Sequence, residues 1–508
     1  MLLGPMSKIL QSPSKQIIML RSKNFTFFML LFCNGVMGFH SFIVMGSFIY
    51  STILLAQLNV AESEIPLNTN QASWIASIPN LVCPIGLLIT GILTDKIGRR
   101  RAIQTTYIPI ITSWWMFAFA RSYNVILLAR IITGYATDIF DVESRKNLLP
   151  AKMISRNTSF KIESTIAMVF VYTAEMSPTS YRPLFLSLIF MLSALTALFE
   201  TALAVFYTWR TVAMIYGAMS VVVALAMFAV PEPPQWLRSM NRIEEAERAE
   251  RWLGLEPDTS ADVATSKEQS IATPRLDETT WAVYTSSYVW KPTVHMLTLY
   301  LSQQFSGIYV LTAYTSEVLR DSHVRRDFQV GTAYLSVGRV VGSFIFTLLS
   351  NVKRKTLAVV SGLGMFISLA AVLGYMCVYD DVLDPLYSDI PLAAFFVYTI
   401  FSYVAAVPLP WSISGELYPM AVKGKMNAIS QSIGYEIMFG VTKLYPIMVS
   451  ALGLKTVWSI YASVCLLYTL YGATLMPETQ GKSLEEITAY FDPKKEKQQA
   501  DIVNNSVA

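Results

Sequence analysis

The charged residues with the most suggestive spacing lie within Gly91–Arg101, where Asp95, Arg99 and Arg100 stand between two long apolar stretches. Carboxylates and guanidiniums placed this closely form ion pairs, each worth about 0 to 1 kcal/mol when exposed. A partly dehydrated network of such pairs at helix ends can bias an equilibrium between two conformations. The sequence shows no nucleotide-binding loop and no catalytic triad, so we predict no catalytic residue, no cofactor, no metal site and no enzymatic activity.

Composition indicates the environment in which these charges act. Of 508 residues, 53% are hydrophobic and 15% are charged, and the mean hydropathy is +0.45. Typical soluble domains are about 25% charged. The chain is therefore predicted to be a multi-pass membrane protein surrounded by the lipid bilayer. Its net charge of +4 is what basic loops beside a membrane produce, so no nucleic-acid partner is inferred.

Apolar runs near the ~20 residues needed to cross hydrocarbon recur along the chain. They predict twelve spans in two sets of six, at about 25–50, 72–94, 102–120, 123–137, 184–207, 210–230, 292–316, 330–349, 356–379, 391–413, 427–451 and 456–476. The fold class predicted is an all-α membrane protein built from two six-helix bundles. The predicted segments are a cytoplasmic N-terminal segment, the first bundle, a cytoplasmic linker with helices, the second bundle and a cytoplasmic tail, at 1–24, 25–237, 238–291, 292–476 and 477–508.

Lysine and arginine beside the spans predict the orientation, because basic loops tend to stay in the cytoplasm. They cluster before the first span, after the second span and in the C-terminal tail, as Lys8, Lys15, Arg21, Lys23, Lys96, Arg99, Arg100, Arg101, Lys494, Lys495 and Lys497. Both termini are therefore predicted to be cytoplasmic, and the protein is predicted to lie in the plasma membrane. No oligomeric state is predicted.

The two halves of the chain echo each other. Glu175 precedes Arg182 by seven residues, and Glu416 precedes Lys423 by the same interval. A Pro-Glu pair follows the last span of each half, at 231–232 and at 477–478. Repeated bundles commonly hold a solute at their interface near the midplane and rock around it. The repeat therefore favours alternating access.

Seven short motifs occur in order, at Gly91–Arg100, Arg130–Gly134, Tyr172–Pro178 leading to Arg182, Pro231–Leu237, Gln303–Ile308, Pro408–Trp411 with Glu416, and Pro477–Ile487. In these motifs the chain resembles the sugar porter branch of the major facilitator superfamily, over about residues 24–491. Its second half is most similar to insect sugar porters that include facilitated trehalose transporters. The resemblance implies the major facilitator fold and facilitative transport of a small-molecule sugar, either a mono- or a disaccharide.

The resemblance also implies a cytoplasmic clamp that holds the two bundles together. We assign to this gating role Asp95, Arg99, Arg100, Arg130, Glu175, Arg182, Glu416 and Lys423. The alternative is that these charges only set topology and cap helix ends. In the second half, the place of the Asp95 cluster is taken by Ser350–Lys355, which contains no acid. That half of the clamp is therefore expected to be weakened.

Polar side chains inside the spans are candidate sugar ligands, because polar groups are costly there and usually functional. Gln303 and Gln304 supply amides, Tyr309 a hydroxyl, and Trp411 a stacking surface after two prolines that interrupt its helix. Each could instead only pack or bridge helices. We include His40 among the candidate substrate-binding residues. Its position resembles the first-span site where proton-coupled relatives carry an acid, so proton coupling and a plain polar contact both remain open.

Two further ionisable residues lie within a predicted span. Glu436 and Lys443 are seven residues apart and therefore on a similar helical face, which suggests that they pair.

Several positions depart from the family pattern. Where many sugar porters carry polar ligands, this chain has Phe190, Tyr309, Gly338, Tyr403 and Gly434. The predicted pocket is thus more apolar than that of a glucose carrier. A disaccharide, a less polar solute or a loss of transport would each fit. The competing functions are a facilitative sugar carrier, a proton-coupled sugar symporter, and a non-transporting sensor or inactive isoform.

The fourth span is interrupted. Gly134 and Glu175 are 41 positions apart, more than the resemblance implies, and the polar excess at 139–165 does not suit lipid. A looped-out insertion, a gene-model error and a genuine non-transporting isoform are the three explanations, and we favour the second.

Overall fold

The computed structural model describes residues 13–58, 63–136, 169, 172–173, 175–178, 181–255, 284–349, 352–379, 387–418, 422–480, 482 and 484–491. Every regular element within these ranges is a helix. The predicted insertion at 139–165 lies outside them.

The described helices of the first half are α1 (Pro13–Leu58), α2 (Thr69–Ile97), α3 (Arg99–Phe119), α4 (Tyr123–Ala136), α5 (Arg182–Phe206) and α6 (Trp209–Ala226). Two short helices follow in the linker, α7 (Pro234–Ser239) and α8 (Ile243–Leu253). The second half contains α9 (Ser287–Gln304), α10 (Ile308–Ala313), α11 (Thr315–Asp321), α12 (Phe328–Leu348), α13 (Arg354–Val378), α14 (Ile390–Phe401), α15 (Pro408–Leu417), α16 (Lys423–Leu452), α17 (Leu454–Thr474) and α18 (Leu484–Phe491).

Each predicted span falls on one of these helices or on a broken series of them. Within the described residues, six helices are long and apolar enough to cross a membrane: Asn24–Leu58, Trp209–Ala226, Phe328–Leu348, Arg354–Val378, Ile390–Ser414 and Leu454–Thr474. The first apolar segment is part of a longer helix, since α1 already begins at Pro13.

Two spans that the sequence predicts as continuous are broken in the structure. The span at 292–316 breaks after Gln304, where Gly307 adopts a φ of +89° that favours glycine. A Cβ atom on Gly307 would also approach the Tyr461 ring to 2.6 Å. The span at 391–413 contains a π-helical turn at Ser402–Ala406 and restarts at Pro408, which cannot donate a backbone hydrogen bond. Both breaks leave irregular backbone near the candidate sugar ligands.

Packing organises the helices into two bundles. In the first, α1 packs on α5 and α6, α2 on α4, and α3 on α4 and α6. In the second, α13 packs on α14 and α17, and α12 on α14. The bundles meet along two seams, one between α2 and α16 and the other between α5 and α12.

Successive helices run between two opposite faces of the protein, which we call proximal and distal. The proximal face carries the N-terminal part of α1, the linker and the helix α18. The distal face carries the ends of α1, α5 and α16 together with the starts of α2, α4 and α12.

The predicted linker helix is present as α8 and is fixed to the proximal face. Arg238 makes a two-oxygen ion pair with Glu250, with 2.8 Å from Nη2 to each carboxylate oxygen. The Thr26 hydroxyl of α1 donates to the Gly254 carbonyl at 2.7 Å. The linker is thereby docked against the first bundle.

Candidate functional site

Two of the predicted gating residues form an ion pair at the proximal end of α3. The Arg99 Nε and Nη2 atoms each lie 3.3 Å from a carboxylate oxygen of Glu175. The Arg99 side chain is 5% exposed, so water competes little with this pair. Both residues belong to the first half of the chain. In this conformation the pair therefore joins α3 to the segment before α5 and does not bridge the bundles.

Glu232 caps the same helix. Its carboxylate oxygens accept hydrogen bonds from the backbone N–H groups of Arg100 at 3.0 Å and Arg101 at 3.3 Å. Burial raises the pKa of Glu232, while these N–H groups and the two arginine charges oppose the shift. A Cβ atom on Gly98 would lie 2.5 Å from a carboxylate oxygen, and the Gly98 φ is +106°. Glycine therefore fits this position for two independent reasons.

The second half contains an equivalent cap. The Glu478 carboxylate accepts from the backbone N–H groups of Arg354 at 3.0 Å and Lys355 at 3.2 Å, at the start of α13. Glu478 therefore corresponds to Glu232, and it does not replace the acid that the Ser350–Lys355 segment lacks relative to the Asp95 cluster. The two Pro-Glu pairs that the sequence shows as repeats therefore perform the same task in each bundle.

Removing either cap should destabilise the protein. Alanine at a capping position costs about 0.5–2 kcal/mol, so we expect Glu232→Ala and Glu478→Ala each to lower the apparent melting temperature of the detergent-purified protein. Glu245→Ala is the matched control, because Glu245 makes an exposed ion pair with Arg242 on α8. Equal melting temperatures for all three variants would contradict the capping role.

Arg130 lies apart from the proximal cluster. It is 1% exposed, and its Nε donates to the Ile75 carbonyl of α2 at 3.0 Å. Its Nη1 donates to the Ser47 carbonyl of α1. Arg130 sits seven residues from the distal start of α4 and joins three helices inside the first bundle, and its assignment to gating stays a prediction. The side chains of Asp95, Arg182, Glu416 and Lys423 lie outside the described part of the chain, and their gating roles stay predictions.

The candidate sugar ligands cluster where α9, α10 and α15 meet. The Gln303 Nε2 donates to the Val407 carbonyl at 2.7 Å and to the Tyr309 hydroxyl at 3.3 Å. Gln303 and Gln304 are 2% and 1% exposed. Among the described residues, the Gln303 Oε1 and both amide atoms of Gln304 have no hydrogen-bond partner. Buried amides normally find partners, so these atoms are available to a polar solute.

Aromatic rings surround the same cluster. The Trp411 ring lies 5.5 Å from the rings of Tyr300 and Tyr435. A Cβ atom on Gly434 would lie 2.9 Å from the Tyr300 ring, so glycine here makes room for that tyrosine. At Gly338, a Cβ atom would lie 3.2 Å from Phe396. At these two departures from the family pattern, aromatic packing replaces a polar side chain.

His40 faces the interior of the first bundle. It is fully buried, and neither ring nitrogen has a hydrogen-bond partner among the described residues. Its ring lies edge-on to Tyr107 of α3 at 5.0 Å. The structure thus surrounds His40 with packing contacts, and its assignment to substrate binding stays a prediction.

The distal face is closed by contacts between the bundles. The Lys443 Nζ of α16 lies 2.9 Å from the Asn70 Oδ1 and 2.7 Å from the Ser73 Oγ, both on α2. The same ammonium group lies 4.2 Å from the centre of the Trp74 ring. The suggested pairing of Lys443 with Glu436 is wrong, because Lys443 reaches across to the other bundle and Glu436 is exposed. We call Lys443, Asn70, Ser73 and Trp74 the distal latch.

Sequence reasoning missed two buried charges, Glu200 on α5 and Arg339 on α12. They are 0% and 2% exposed and lie on the two helices that form one inter-bundle seam. Their position inside predicted spans was the available signal, because ionisable residues at such depth are rare.

The sequence matches the family profile described as Sugar (and other) transporter over residues 26–142 and 162–491. The gap between the two matched segments falls within the predicted insertion.

Two similar curated proteins are insect transporters, each named facilitated trehalose transporter Tret1. The protein from Apis mellifera ligustica is 24% identical over 87% of this chain and 84% of its own length. The protein from Culex quinquefasciatus is 25% identical over 84% of this chain and 78% of its own length. The chain spans about half the length of other relatives with this name, such as the one from Aedes aegypti, at 50%.

A solved structure of the E. coli xylose transporter XylE, in an inward-open conformation, superposes with a TM-score of 0.68. It is 19% identical and the match covers 91% of this chain and 99% of the other. The likeness confirms the predicted fold class, an all-α membrane protein with the major facilitator fold.

Proposed function

Because the chain belongs to the Sugar (and other) transporter family, we propose that it moves a neutral sugar across the plasma membrane by facilitative alternating access. Trehalose is the first candidate, since the similar insect proteins are named for it. The proximal face would be cytoplasmic, as the distribution of lysine and arginine suggests.

One observation carries this proposal most strongly. The Gln303 amide oxygen and both amide atoms of Gln304 are unpartnered among the described residues, and they lie beside the Tyr309 hydroxyl and the helix that bears Trp411. Sugars need donors and acceptors for their hydroxyls together with an apolar surface for their ring faces, and this cluster supplies both. Irregular backbone at Gly307 and before Pro408 is typical of solute sites in membrane proteins, because such backbone is tolerated where it lines a cavity.

Uptake in oocytes tests the proposal. We expect saturable uptake of radiolabelled trehalose or D-glucose by the wild type and about tenfold weaker uptake by Gln303→Ala, because a hydrogen-bonding amide is lost from a buried site. Gln104→Ala is the matched control, since the hydrogen bond that the Gln104 side chain makes among the described residues is a 3.4 Å contact to the Met227 carbonyl in the first bundle.

The alternative functions give different results in the same assay. Absence of uptake, with the protein shown to be at the cell surface, would favour a non-transporting sensor. Uptake that rises when the external pH is lowered, and loses that dependence in His40→Gln, would favour proton-coupled symport.

A further inference from the structure

The seam between α5 and α12 holds two charged side chains without hydrogen-bond partners. Both carboxylate oxygens of Glu200 and the Nε and Nη1 atoms of Arg339 are unpartnered among the described residues. Leaving a buried polar group unpaired costs about 1–3 kcal/mol, and more when it is charged. Neither residue is used by the cluster around Gln303. Their side chains are therefore placed to bind something that the protein itself does not provide.

The charges around Glu200 define what kind of partner would fit. Glu200 lies within electrostatic range of Arg130 and Arg339. Arg130 is held by the carbonyls of Ile75 and Ser47, whereas Arg339 keeps donors available. Glu200 offers two oxygens, whereas Arg339 offers only donors. A neutral sugar hydroxyl can donate to the carboxylate and accept from the guanidinium at the same time.

A narrow cleft lies between α1, α5 and α12 near the distal face. It is lined by Thr52, Ile53, Ala56, Gln57, Thr201, Ala204, Gln329 and Thr332. Ala204 follows Glu200 by one helical turn, and Thr332 precedes Arg339 by two, so both lie on the same faces as the charged residues. The cleft and the charged pair thus lie along the same seam between α5 and α12.

We propose that Glu200 and Arg339 form a second hydroxyl-binding subsite for the sugar, with one residue contributed by each bundle. This inference rests on the proposed function. A solute bound there would contact both bundles directly. Hydrogen bonds from Glu200 and Arg339 would also compensate in part for those that Gly338 and Gly434 cannot make, because glycine has no side chain.

Equilibrium binding to the purified full-length protein tests the subsite. Intrinsic tryptophan fluorescence is titrated with trehalose, D-glucose and the monodeoxy analogues of D-glucose. In the wild type, at least one deoxy analogue should bind about ten- to a hundredfold more weakly than glucose, because a hydrogen bond to a charged group is lost. In Arg339→Gln and Glu200→Gln that same analogue should bind about as well as glucose does, since the partner is already gone.

The subsite is overturned if the effect of each substitution and the effect of each missing hydroxyl are additive. If glucose and every analogue weaken by the same factor in the variants, the two residues act on the fold and not on a hydroxyl. Glu200→Asp keeps the charge and withdraws the carboxylate by one methylene, so it covers the case in which the neutral variants fail to fold. It should show the same selective loss. A wild type that binds no sugar would instead overturn the proposed function, and the subsite with it.

Discussion

Arg130→Met should lower the free energy of unfolding by about 3–5 kcal/mol and abolish transport, because it removes a buried charge that its surroundings are built to hold. The guanidinium joins α4 to the carbonyls of Ile75 on α2 and Ser47 on α1. Methionine fills much of the volume but offers no donor. It also leaves the Glu200 carboxylate with only Arg339 as a nearby positive charge.

The measurement is thermal unfolding of detergent-purified protein together with surface expression and uptake in oocytes. Arg130→Lys keeps the charge but has a single donor group, so it should show an intermediate loss. Arg210→Met is the matched control, because Arg210 is part exposed and pairs with the exposed Glu64 on the distal face. Comparable melting temperatures for Arg130→Met and Arg210→Met would show that the buried guanidinium is not structural.

Some of these features could be predicted from the sequence, and others could not. The positions of the helices follow from apolar runs, because a span needs a fixed length of hydrophobic chain. The sequence also singles out Gln303 and Gln304 as candidate ligands, since polar residues stand out within such runs. The contacts that Arg130 makes with α1 and α2 could not be predicted, because they depend on how α1, α2 and α4 pack.

Other partners could not be predicted for the same reason. Glu200 and Arg339 come within electrostatic range of each other only because α5 packs on α12, and the sequence separates them by 139 positions. The role of Glu232 depends on Gly98 allowing its carboxylate to reach the start of α3. Lys443 appeared to have a partner on its own helix, yet its ligands are on α2. Pairings between distant helices depend on tertiary packing, which local spacing does not encode.

Lys443→Met should open the distal face. The lysine donates two hydrogen bonds to α2 and lies over the Trp74 ring, and hydrogen bonds from charged groups contribute about 1.5–3 kcal/mol each. Asn70 is exposed, so part of this energy is lost to competition with water. A net loss of about 1.4–2.8 kcal/mol would shift the closed-to-open ratio ten- to a hundredfold.

Distances between spin labels measure that shift. Labels at Gln71→Cys and Leu452→Cys report on the distal ends of α2 and α16, in a background where the exposed Cys377 is replaced by serine. Lys443→Met should increase the population at the longer distance, whereas Lys443→Arg retains the charge and should resemble the wild type. Arg320→Met is a second control, because this exposed distal arginine pairs only with its neighbour Asp321 among the salt bridges described.

The direction of the change distinguishes a latch from a packing contact. If Lys443 only filled space, methionine would preserve the contact with Trp74, and the distance distribution would stay the same. If it is a latch, the open population grows, and the variant should also bind a sugar added from the distal side faster, because opening no longer limits access. An unchanged distribution together with an unchanged rate of sugar binding would remove Lys443 from the gate. Closure of this seam would then rest on other contacts between α2 and α16, such as that between the Trp74 and Phe439 rings at 6.0 Å.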